Sequence, residues 1–142
     1  MFKHLVVVVG LLAATQAVGA STPNSPDFDP VAHMRRFDPA WKAPDISQTE
    51  IARHPLGSKL NPVRAQGPNG QIEYLSRLRC KNGKPPSYSR AGMGGVSPYG
   101  FHLDAYQVKC GWRKHIVHMD FYHPGYTEQS AIPGFTLTRS EF

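Results

Sequence analysis

Apolar residues follow two regimes along this chain. The first is a continuous run, Leu5 to Ala14, with Lys3 ahead of it and small residues behind it. A basic start, an apolar centre, and Val18 and Ala20 at positions −3 and −1 of a cut before Ser21 read as a secretory signal peptide. The run is shorter than the roughly 20 apolar residues that cross a bilayer. Residues 1–20 are therefore expected to be removed. The mature chain is expected outside the cytoplasm, secreted or periplasmic, without spanning a membrane.

Beyond Ser21 the pattern is short-ranged. Residues 21–28 are rich in Ser, Pro and Asp and read as a flexible leader. Asp29-Pro30 can open a helix, with Asp29 as cap and Pro30 at its first position. Val31, Met34 and Phe37 then recur at helical spacing, and Pro39 and Pro44 limit it. Ser47-Gln48-Thr49-Glu50 fits a capping box for a second short helix. From Gln71 to Cys80 the residues Ile72, Tyr74, Ser76, Leu78 and Cys80 share one parity, which predicts a strand. Leu75 breaks the alternation and keeps open a helix over Ile72 to Arg79. Asn69-Gly70 and Asn82-Gly83 bracket this segment as turns.

Pro85 and Pro86 argue against a long strand after the second turn. The glycine-rich stretch Ala91 to Gly100 reads as a loop. Strands are expected over Phe101 to Cys110, Lys114 to Tyr122 and Phe135 to Thr138. The expectation is one α+β domain over residues 29–142: a small, mainly antiparallel sheet with one or two short N-terminal helices.

Two features of composition sharpen this. The formal charge is +6. Loss of Lys3 with the leader leaves 15 cations against 10 acids, a basic protein at +5. That balance favours acidic surfaces through long-range attraction, without selecting one. Cys80 and Cys110 are the only cysteines. An oxidising compartment allows them to pair, and a small core benefits from the staple.

Candidate chemistry concentrates in His115 to Pro124. On a strand, His118 and Asp120 share a face, roughly 6.6–6.8 Å apart along the chain. His123 follows at the strand end. His118, Asp120 and His123 could hold a divalent metal or serve a small secreted hydrolase. They lack the HExxH spacing and the cysteine pattern of structural zinc sites. No GxSxG elbow is present, and Gly92 to Gly100 lacks both the P-loop and the complete dinucleotide fingerprints. No cofactor is expected.

Arg77 and Arg79, with Lys81 and Lys84 behind them, form a local basic run. Together with Tyr99 and Tyr122 they are the candidate binding residues, because Arg and Tyr combine apolar contact with polar groups. The sequence points to an exported noncatalytic binding protein. Its partner is expected to be a protein, such as an enzyme to be inhibited, or an envelope component with an acidic surface; nucleic acid fits export poorly.

Overall fold

The architecture is that of a computed structural model in which residues 21–140 are described; the leader expected over residues 1–20 lies outside them. The elements run α1 (Pro30–Arg35), α2 (Gln48–Ile51), β1 (Val63–Gln66), α3 (Gly67–Arg77), β2 (Leu78–Arg79), β3 (Ser87–Val96), β4 (His102–Cys110), β5 (Arg113–Asp120), β6 (Tyr122–Thr127) and β7 (Thr136–Leu137). Five strands form a sheet in the order β3-β4-β5-β1-β6, and β2 pairs with β7 in a second, two-stranded sheet. Only the β1–β5 pairing is parallel. The fold is α+β, and a Cys80–Cys110 disulfide closes it with Cα atoms 5.8 Å apart.

The two N-terminal helices start where their caps place them. Asp29 Oδ1 accepts the Ala32 N–H at 2.9 Å, and Ser47 Oγ accepts the Thr49 N–H at 3.2 Å. The reciprocal arm of the capping box is not used, because Glu50 turns to Arg53. Residues 21–28, read as leader, lie against the domain. Asn24 Oδ1 accepts the Asn69 N–H at 2.9 Å, and Phe28 is buried.

Two expectations are corrected. The segment from Gln71 is not a strand: α3 runs through it to Arg77, and only Leu78 and Arg79 are extended. Gln71, Tyr74, Leu75 and Leu78 are all buried, and their spacing of three and four residues is the helical stripe. The polar Gln71 hid that stripe; its Oε1 accepts the Tyr106 hydroxyl at 3.2 Å inside the core. Tyr74, beside it, accepts the Ile132 N–H and donates to the Ser130 carbonyl.

The second correction concerns the glycine-rich loop, most of which is strand β3. Its ladder to β4 slips between Arg90 and Gly92 and again between Met93 and Gly95. Gly92 and Gly95 sit at φ 130° and 107° beside these bulges, conformations that glycine adopts without a Cβ penalty. Within the second bulge Gly94 packs on His118, where a Cβ would lie 2.7 Å from the imidazole Cδ2.

The apolar core falls into two clusters. Tyr106, Val108, Val117 and Met119 meet Tyr74, Leu75 and Leu78 of the α3 region. Phe28, Phe101 and Tyr122, with Met34, Trp41, Tyr99 and Phe121, form a separate aromatic cluster near α1. Among the described residues no helix is long and apolar enough to cross a membrane.

Candidate functional site

Strand β5 ends at a carboxylate that organises its surroundings. Asp120 is fully buried, which demands partners for its charge. The Ser97 hydroxyl donates to Oδ2 at 2.6 Å, and the Tyr122 N–H donates to Oδ1 at 3.0 Å. His123 Nε2 lies 3.2 Å from Oδ2, close but outside hydrogen-bonding alignment. Ser97 Oγ also accepts the N–H groups of Tyr99 and Phe101. One carboxylate thereby fixes the 97–101 turn against the start of β6.

Above this network opens a cleft of about 400 Å³ lined by Tyr99, Phe101, Tyr122, His123, Tyr126 and three prolines. His123 meets Tyr99 edge-on, with ring centroids 4.7 Å apart. The Arg64 guanidinium lies 3.9 Å from the Tyr126 ring centroid and donates to that residue's hydroxyl at 2.8 Å. Tyr99 is half-buried, and its hydroxyl donates to Gln48 Oε1; Tyr122 is buried and stacks on Phe101.

The structure thus joins Asp120 to His123 and adds Ser97, which carries no sequence signal because it comes from the far side of a glycine-rich strand. The Ser97 hydroxyl points to the carboxylate instead of the imidazole, so the three do not form a Ser–His–Asp relay. His118 stands apart. Its Nδ1 lies 3.3 Å from the Gly57 carbonyl. No group of three or more His, Cys, Asp and Glu side chains among the described residues is arranged to hold a metal ion.

Burial holds the His118 imidazole below its ordinary value of 6.5; the Gly57 carbonyl opposes this and the Lys59 charge reinforces it. The unfolded chain then takes up a proton more readily than the folded one. His118 should cost the fold stability as pH falls from 6.5 through its folded pKa, and nothing above 6.5. An NMR titration midpoint below 6.5 is expected, with an acid-side loss of stability that His118→Gln reduces. A midpoint at or above 6.5 would contradict this.

The basic candidates divide sharply. Arg77 is 5% exposed. Its guanidinium contacts Glu73 at 2.7 Å and donates to the Glu128 carbonyl at 2.7 Å, so it is spent inside the fold. Arg79 donates to the backbone carbonyls of Ser76 and Leu78. A group of cations outside any ion pair among the described residues lies instead at the β4–β5 turn. Lys109 pairs in register with Lys114, Cys110 with Arg113, and Ser87 of β3 with Lys109. The disulfide brings Lys81 to the same end, and the Lys84 carbonyl accepts the Cys80 N–H at 2.8 Å.

None of Lys81, Lys84, Lys109, Arg113 and Lys114 is in an ion pair among the described residues. Lys109 opposite Lys114 is a like-charge cross-strand pair, which costs stability. Trp112 stands at the turn, 85% exposed, with Arg113 5.3 Å from its ring centroid. A shallow hollow of about 500 Å³ runs beside it from Lys81 to Phe135 and has no acidic lining residue.

No protein-family model matches this chain, and no curated protein or solved structure shows a significant match to it.

Proposed function

We propose that this chain is an exported, noncatalytic binding protein whose disulfide-closed end docks on an acidic macromolecular surface. The observation that carries the reading is the set of five cations, Lys81, Lys84, Lys109, Arg113 and Lys114, gathered at one end and in no ion pair among the described residues, beside a hollow whose lining holds no acid. Two acids elsewhere in the chain are already paired: Asp104 with Arg90 at 2.6 Å and Glu73 with Arg77 at 2.7 Å. The uncompensated Lys109–Lys114 pair makes sense as a surface whose counter-charge arrives with a partner. Export is supported by the leader pattern and by a disulfide, which persists in oxidising compartments. At the aromatic cleft the Ser97 hydroxyl is turned to the Asp120 carboxylate and not to His123, which supports binding over hydrolysis by a serine nucleophile.

Charge position separates this reading from net basicity. The triple reversal Lys81→Glu, Arg113→Glu, Lys114→Glu should weaken binding to a soluble acidic polypeptide, poly-glutamate, by at least about tenfold in low salt. Each cation near an acidic surface contributes on the order of 1 kcal/mol, and 1.4 kcal/mol is a factor of ten. The charge-matched control Arg36→Glu, Lys42→Glu, Lys59→Glu, at exposed positions elsewhere, should lose about threefold or less on the same scale. Equal losses in the two variants would remove the docking assignment.

A further inference from the structure

We propose that the acidic surface is an anionic lipid surface, and that the β4–β5 turn seats on it with Trp112 in the headgroup layer. This rests on the acidic-surface reading and assigns it an occupant. The first observation is the shape of the end. Trp112 occupies a tight turn between Gly111 and Arg113 and projects from it, open to a partner.

The second observation is what surrounds the indole. Trp112, Lys114 and Ile116 alternate along β5 and its preceding turn, and Ile116 is itself 52% exposed. Lys109 lies opposite Lys114, and Gln107 opposite Ile116. The hairpin therefore presents an indole at its tip with Arg113 against the ring, and behind the tip a strand face that carries Lys114, Ile116 and the cross-strand Lys109.

Apolar groups that enter the acyl boundary beside cations that meet phosphate make an interfacial lipid site. Tryptophan favours that depth because its ring is apolar while its N–H still finds a polar partner. Lysine suits the rim, where the stem lies along apolar surface and the ammonium reaches the headgroups. The charge complementarity is one-sided and simple: cations without acids against a sheet of phosphates. A projecting, uncovered indole fits a fluid layer that closes around it better than a rigid surface needing a preformed pocket.

The test uses the exported, disulfide-bonded protein, its N terminus read by mass spectrometry. Flotation is measured with vesicles of phosphatidylglycerol and phosphatidylcholine in equal parts, and with phosphatidylcholine alone. Binding to the anionic vesicles is expected to exceed binding to the neutral ones by about tenfold or more and to fall steeply in high salt. Trp112→Ala should lower it severalfold and abolish quenching by brominated lipid, leaving Trp41 unquenched. The Lys81, Arg113, Lys114 reversal should remove it. Binding to poly-glutamate without binding to anionic vesicles would overturn the lipid assignment while leaving the acidic-surface reading intact. Binding to neither would overturn both. Vesicle binding unchanged in the Trp112 and reversal variants would also overturn the assignment.

Discussion

Replacing Asp120 with alanine is expected to lower stability by about 3–5 kcal/mol, the range for stripping a buried charge from its partners. Two groups lose their acceptor together. The Ser97 hydroxyl and the Tyr122 N–H are left without a partner in a buried site, and the carboxylate 3.2 Å from His123 Nε2 is gone. The effect spreads because Ser97 Oγ also receives the Tyr99 and Phe101 N–H groups. The turn carrying both aromatics into the second cluster would loosen. In urea, the midpoint should fall by roughly 2–3 M for a domain of this size. Asp120→Asn keeps the shape and one acceptor, so it should lose clearly less and stay folded if the alanine variant does not. A midpoint change under about 0.5 M in the alanine variant would sink the hub role.

The second large effect is expected from Cys80→Ala with Cys110→Ala. The bond closes a loop with a sequence separation of 30. Chain-entropy arithmetic for that loop gives about 3.6 kcal/mol at 25 °C. The corresponding fall in melting temperature is roughly 10–20 °C. The loop contains β3 and most of β4, so the loss should appear first as weakened protection of the β3–β4 ladder. It should also separate Lys81 from Arg113 and reduce binding to acidic surfaces even where the domain stays folded. A stability loss below about 1 kcal/mol would show that the unbonded chain already holds this end together.

Local chemistry announced itself well in this sequence, and long-range chemistry did not. The caps at Asp29 and Ser47 and the strands at β4 and β5 needed only neighbouring residues, and the disulfide needed only that the chain holds two cysteines. Helix α3 was obscured because Tyr74 and Leu78 satisfy both an alternating and a helical pattern. Gln71, the residue that decides between them, is polar yet buried against Tyr106. Strand β3 was obscured because its glycines serve bulges on an edge, where composition resembles a loop. Asp120 and His123 were legible as neighbours three residues apart, but Ser97 reaches them only through the fold. The basic end was partly legible in Lys81 and Lys84. Its other half, Lys109 to Lys114, joined them only through the disulfide and the strand register.

Strand β1 comes early in the chain but is sandwiched between β5 and β6: Val63 pairs with Met119, and Gln66 with Tyr122. Neither neighbour exists while a chain is emerging N terminus first and has yet to deliver its last third. Such contacts, distant in sequence, are slow to form. Strand β1 therefore waits unpaired until nearly the entire polypeptide is present, and the sheet closes around it last.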